Sequence, residues 1–138
     1  MANPSKKKGT VAETKVSNYF NEHGLRTERK ALAGSNDEGD LRTFLPDGEE
    51  VTVEVKTGQQ TQNYPRSRLD DWKRQTLQEG RNSGCRPILV IVRHRRRFTD
   101  AEVWLPNSKW GGQNGWTMTY IDNFVDAMWS LSGKRRED

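Results

Sequence analysis

Two carboxylates and an amine stand close together in the stretch Gly39–Gly58, which reads GDLRTFLPDGEEVTVEVKTG. Asp40 opens it, and Glu54 and Lys56 close it at alternate positions of a Val-Glu-Val-Lys segment. Hard oxygen donors of this kind suit a divalent cation such as Mg2+, which takes one or two carboxylates and keeps several of its waters. An ammonium beside them suits the other needs of phosphodiester hydrolysis. It can orient or deprotonate the attacking water, or offset charge in the transition state, and the sequence leaves these roles of Lys56 open. The Val55 carbonyl offers a third oxygen, and Glu13 upstream a fourth, for a second ion or a metal-bound water. Glu-x-Lys by itself also describes an ordinary salt-bridged strand face, so the elements around it matter.

Asp40–Leu45 and Val51–Lys56 alternate in polarity and are joined by Pro46-Asp47-Gly48, a hairpin pattern. Val51, Val53 and Val55 are expected to face a core, with Thr52, Glu54 and Lys56 on the other side. Thr10 with Glu13 three residues later reads as a capping box opening a helix, with Val11, Val16, Tyr19 and Phe20 as its apolar stripe and Gly24 beyond its end. Glu13 is therefore either a reciprocal cap or a site residue arriving from that helix. Leu25–Leu32 is a strand candidate carrying Arg26, Arg29 and Lys30. Ala33–Gly39 is a loop in which Ser35 and Asn36 can donate to a phosphate. Ser67–Gly80 reads as a helix with Leu69, Trp72, Thr76 and Leu77 on one side. Ile88–Val92 is an apolar run of strand length, expected to be covered on both faces in a mixed or parallel sheet, and Ala101–Leu105 is its return strand. Lys109–Gly115 is glycine-rich and expected to be flexible, flanked by Trp110 and Trp116. Those indoles serve packing, or stack on exposed bases. Tyr120–Leu131 repeats Ile121, Phe124, Val125, Met128 and Trp129 at helical spacing, for the core or a dimer interface.

The chain has 138 residues, 31% hydrophobic and 30% charged, which suits one domain with a modest core and a heavily charged surface. Five tryptophans and four phenylalanines argue against disorder. We expect a flexible basic arm over 1–8, one nuclease domain over 9–132 and a polar tail over 133–138. With one cysteine, Cys85, neither an internal disulfide nor a thiolate zinc site is available. No run is long and apolar enough to span a bilayer, and an intracellular protein is expected. Lys and Arg number 23 against 19 Asp and Glu, a net charge of +4. The clustering is more telling than the excess: Lys6, Lys7 and Lys8 in the arm, and Arg93, Arg95, Arg96 and Arg97 after the apolar strand, are suited to phosphates.

A helix glutamate, a Gly-Asp at a loop-to-strand junction, a hairpin and then Val-Glu-Val-Lys is an order that resembles the PD-(D/E)xK nuclease superfamily. Within it the chain looks most like the archaeal-type Holliday junction resolvases and their phage relatives. The similarity runs from Lys8-Gly9-Thr10 and Glu13, through the Gly34–Asp40 loop and Glu54-Val55-Lys56, to the Ile88–Val92 strand, roughly residues 8 to 105. It implies an α/β, restriction-endonuclease-like core with a central mixed β-sheet flanked by helices. It also implies Glu13, Asp40, Glu54 and Lys56 as catalytic positions, and Mg2+, with Mn2+ as a substitute, as cofactor. Ser35 would match a loop serine near the site. Arg29, Ser35 and the basic clusters would meet DNA, and a homodimer would place two sites on opposing strands of a branched DNA. The chain departs from the pattern at Gly39, where the family name has a proline, at the extra acids Asp37 and Glu38, and beyond Lys109. Two alternatives remain open at this level: a related endonuclease acting on duplex, flap or single-stranded DNA, and a non-catalytic nucleic-acid-binding protein.

Overall fold

The structure is a computed structural model that describes residues 4–30, 39–108 and 111–136. Three helices and six strands follow one another as α1 (Pro4–Glu22), β1 (Thr27–Arg29), β2 (Leu41–Phe44), β3 (Glu50–Lys56), α2 (Arg66–Ser83), β4 (Arg86–Ile91), β5 (Glu102–Ser108), β6 (Gly111–Tyr120) and α3 (Ile121–Ser132). Single 3-10 turns at Gln59–Thr61 and Phe98–Asp100 follow β3 and precede β5. The strands form one mixed sheet in the order β1-β2-β3-β4-β5-β6. Every neighbouring pair is antiparallel except β3 and β4, which run parallel with Val53 beside Ile88 and Lys56 beside Ile91. A parallel pair needs a crossover, and α2 is that crossover. The α/β class, and a mixed sheet flanked by helices, are as the sequence predicts.

The hairpin predicted at Pro46-Asp47-Gly48 joins β2 to β3, with Leu41 opposite Val53 and Thr43 opposite Val51. Its turn closes through Gly48 N to Leu45 O at 2.8 Å and Asp47 Oδ1 accepting from Glu49 N at 2.8 Å. One face of the sheet carries the larger core. Val16 and Phe20 of α1, Ile121, Phe124 and Val125 of α3, and Leu41, Val51, Val53, Ile88, Val90 and Val103 of the sheet are all buried there. The Phe20 and Phe124 rings meet with centroids 5.9 Å apart. Burying a side chain of that size contributes roughly 1.5–3 kcal/mol. The opposite face holds a smaller cluster, Leu69 and Trp72 of α2 with Leu89 and Ile91, joined by Tyr64 and Trp104. Thr52, Glu54, Thr76 and Glu79 are also buried, and they occupy ground between β3 and α2 that apolar side chains would otherwise fill. The polar side of β3 is therefore a covered face, not a surface.

Three sequence expectations are corrected here. α1 begins at Pro4, so residues 4–8 of the expected flexible arm belong to a helix and Thr10 is inside it. Proline suits the first helical position, where its missing N–H costs no bond. Thr10 acts there as an acceptor, its carbonyl taking the Thr14 hydroxyl at 2.9 Å. Val11 is 47% exposed and Ala12 is buried in its stead, because the stripe of α1 is set by Val16 and Phe20. The helix ends as predicted: Gly24 sits at φ +82°, Gly24 N bonds Asn21 O, and Leu25 N bonds Phe20 O at 2.8 Å, which together make a Schellman ending. Finally, the glycine-rich segment expected to be flexible is largely strand, since β6 starts at Gly111. Pairing with β5 overrides its weak strand propensity. A bulge between Pro106 and Ser108 takes up the irregularity, with Asn107 bonded to the Asn114 carbonyl and the Thr117 hydroxyl.

Candidate active site

Asp40 lies one residue before β2 and Glu54 one turn of the pleat before the end of β3, so the hairpin register sets them side by side. The Asp40 Oδ2 accepts the Val55 N–H at 2.9 Å, and Asp40 N donates to Val53 O at 2.9 Å. The carboxylate thus continues the ladder where β2 has not yet begun. Lys56 O faces β4, where it accepts Val92 N at 2.8 Å. Alternation along the strand then turns the Val55 carbonyl the other way, to the side of Asp40.

Asp40 and Glu54 are coupled to each other electrostatically, and Glu54 in turn to Glu79 of α2. Glu54 is 5% exposed and Glu79 1%. Burial, and then the hydrogen bond and charge of Glu79, push Glu54 up to about 9. Burial, and then the charge of Glu54, push Asp40 up to about 7. Burial and carboxylate crowding therefore favour the protonated forms of this group near neutrality. Lys56 Nζ stands 3.8 Å from Glu54 Oε1 and donates to Gln75 Oε1 at 2.8 Å, while Gln75 Nε2 donates to Glu79 Oε1 at 3.0 Å. α2 therefore grips both candidate residues of β3 through one amide and one acid.

Glu13 reaches the site from α1. It is coupled to Asp40 by charge, and its Oε2 takes Arg29 NH2 at 2.6 Å. Burial, and then Asp40, raise its pKa above the ordinary carboxylate value. Lying inside the helix, Glu13 is not a cap, and its orientation is toward the acids. Gly39 explains the missing proline. Its φ is +93°, which a pyrrolidine ring held near −65° cannot adopt. A Cβ there would stand 2.6 Å from Thr52 Oγ1 and 3.3 Å from Val53 O, so the backbone passes too close to β3 for a side chain.

A cleft of about 560 Å³ opens beside this group, lined by Gly9, Val55, Lys56, Thr57, Gly58, Gln59 and Gln60. It lies at the C-terminal ends of the parallel pair, the edge where α/β sheets characteristically take ligands. The arginine loop leaves β4 at the same edge. Arg95, at φ +61°, and Arg96 and Arg97 are exposed, with Arg97 reaching Asp100 at 3.4 Å. Arg93 differs from the expectation. Its guanidinium donates to Thr61 O, Gln62 O and Glu102 Oε2, each at 2.7 Å, and lies over the Tyr64 ring. Those bonds use the fork internally, so Arg93 fastens the loop while its three neighbours stay exposed. Ser35 lies outside the described residues, as do the side chains of Lys6, Lys7 and Lys8.

Gln75 and Glu79 are the site residues that sequence reasoning missed. The signal was present: Glu79 continues the buried stripe Leu69, Trp72, Thr76 of an amphipathic helix, and an acid on such a stripe needs a partner. Among the described residues, no group of three or more His, Cys, Asp or Glu side chains is arranged to hold a metal ion. Asp40, Glu54 and the Val55 carbonyl nonetheless suit a hard cation in kind. They are oxygen donors, two of them carboxylates crowded enough to retain a proton, the position a cation would take over.

No family model matches the sequence, and no curated protein matches it. Among solved structures the chain is similar to Archaeoglobus fulgidus Hjc, a Holliday junction resolvase from an archaeal hyperthermophile. The similarity covers 94% of this chain and 98% of that one, at 12% identity and a TM-score of 0.48. Likeness at that level assigns no residue a role. Among the described residues, no helix is long and apolar enough to cross a membrane.

Proposed function

We propose that the protein is a Mg2+- or Mn2+-dependent endonuclease that hydrolyses phosphodiester bonds of branched DNA, acting as a homodimer on four-way junctions. The observation that carries this reading is the buried Asp40–Glu54 pair with Lys56 beside it, where Val55 and Lys56 line a cleft at the C-terminal ends of β3 and β4. Asp40, Glu54 and the Val55 carbonyl would hold the ion. When bound, the ion supplies Lewis-acid polarisation of the phosphate and a more acidic water. Lys56, held by Gln75, presents its ammonium to the scissile phosphate or the attacking water. Glu13 sets the charge on Asp40 and keeps Arg29 at the rim, where a guanidinium fits a phosphate oxygen. The exposed Arg95, Arg96 and Arg97 supply affinity for the polyanion.

The preference for junctions rests on the order of motifs in the sequence, and so does the dimer. The test is cleavage of four-way junction, flap, duplex and single-stranded DNA with Mg2+, with Mn2+ and with chelator, alongside a Glu54→Gln variant and a solution mass. Paired symmetric cuts near the crossover, lost in the variant, are the expected result. Efficient cutting of linear duplex overturns the junction assignment. Absence of metal-dependent cleavage on every substrate overturns the enzyme assignment and leaves a binding protein.

A further inference from the structure

α2 packs on β3 and β4, and β5 and β6 continue the sheet past it. Register places Trp104 opposite Met118, Pro106 opposite Trp116 and Glu102 opposite Tyr120. Directly paired residues share a face, and Trp104 packs with the α2 cluster. Trp116, Met118 and Tyr120 therefore share the α2 side of the sheet, where Met118 is 37% and Tyr120 45% exposed. Between this strip and α2 runs a groove of about 490 Å³, lined by Lys73, Arg74, Leu77 and Arg81 of the helix and by Gln113 and Trp116 of β6. Asp70 is the one carboxylate on its wall. Lys73 Nζ lies 4.7 Å from the Trp104 ring centroid and 5.7 Å from that of Trp116. Arg74 pairs with Asp71, and Arg81 donates to the neutral Gln78 at 2.9 Å.

We propose that this groove binds an unpaired nucleic-acid strand, with phosphates along Lys73, Arg74 and Arg81 and a base stacked on Trp116. The inference deepens the nuclease reading and rests on it for the choice of a polyanion. Three cations against one acid give the charge complementarity, and indole faces beside cations are the combination that holds single strands irrespective of sequence. An intact duplex gains little here, since its bases already stack on one another. The helix adds a geometric reason. Residues 73, 77 and 81 recur on one flank, while Gln75 and Glu79 turn to Lys56 and Glu54. α2 is thus a wall shared by the two sites, and a strand leaving the acids has a basic aromatic track on its far side.

The test is fluorescence anisotropy of the full chain with a dye-labelled oligo(dT) and with a blunt hairpin duplex, both in chelator. Trp116→Ala should weaken oligo(dT) binding about tenfold, and duplex binding less than about twofold. Trp116→Phe, which keeps an aromatic face, should retain most of the affinity. Lys73→Gln with Arg81→Gln should weaken oligo(dT) binding and flatten its salt dependence. Equal losses on both probes, no loss on oligo(dT), or Trp116→Phe behaving like Trp116→Ala overturns the proposal. So does a change of solution mass in Trp116→Ala, which makes the strip an assembly surface. The two readings fail separately. Trp116-dependent oligo(dT) binding without cleavage of any DNA sinks only the nuclease; cleavage abolished by Glu54→Gln with Trp116-independent binding sinks only the groove.

Discussion

Replacing Glu54 by Gln should stabilise the metal-free protein at alkaline pH while removing its chemistry. Burial and Glu79 push folded Glu54 up to about 9, whereas the unfolded chain releases its proton near the ordinary value of 4.5. Between those limits the native state binds more protons than the unfolded one, so stability falls as pH rises through that window. The full slope is about 1.4 kcal/mol per pH unit, which sets a ceiling of roughly 4 kcal/mol between about pH 5 and about pH 8. Asp40 is charge-coupled to Glu54, and rearrangement around the pair reduces the expected effect to about 2 kcal/mol. A glutamine keeps the shape and the donor of the protonated acid, so the variant escapes this loss. Thermal unfolding in chelator should give nearly equal midpoints for the two proteins at about pH 5. At about pH 8 the variant should unfold roughly 5–10 °C higher. Added Mg2+ should then raise the wild-type midpoint and leave that of the variant where it was. Parallel pH profiles, or a variant less stable at about pH 8, would refute the raised pKa of Glu54.

Glu13→Ala should leave the urea midpoint unchanged or higher, because the residue is inside α1; a true cap would cost about 1 kcal/mol. DNA cleavage by the same variant should drop at least tenfold. Gly39→Ala should cost roughly 1–3 kcal/mol in a urea titration, from the left-handed backbone and the contact with Thr52. Arg93→Ala should destabilise by about 2–3 kcal/mol, since it strips Glu102 of a buried partner. Arg96→Ala should leave stability within about 0.5 kcal/mol and weaken DNA binding measured by anisotropy.

The hairpin, the buried strand and the last two helices were legible because their patterns are local: alternation around a Pro-Asp-Gly turn, and apolar repeats at helical spacing. The proximity of Asp40, Glu54 and Lys56 was legible because a hairpin sets the start of its first strand beside the end of its second, and alternation puts Glu54 and Lys56 on one face. What was not legible depended on partners far along the chain. Thr10 looked like a cap because nothing near it reveals that Pro4 starts the helix. Arg93 looked like its neighbours because the carbonyls of Thr61 and Gln62 and the acid Glu102 that engage it come from two other segments. β6 looked like a glycine loop because its strand character is conferred by β5. Glu79 was visible as an acid on a buried stripe, yet its partner Glu54 is named only by the crossover that lays α2 on β3.

The order of strands in the sheet is the order of strands in the chain. Neighbours in sequence are neighbours in space, and only the step from β3 to β4 requires a long excursion. Chains built this way assemble from short-range pairings and fold fast for their size. The β2–β3 hairpin can bring Asp40 and Glu54 together early, at a stage when α2 and α1 have yet to dock. Two acids meeting in water, before burial, ionise freely and repel each other. Burial is the largest cause that raises both carboxyls, so it is the docking of the helices, not the closing of the hairpin, that favours their protonated forms.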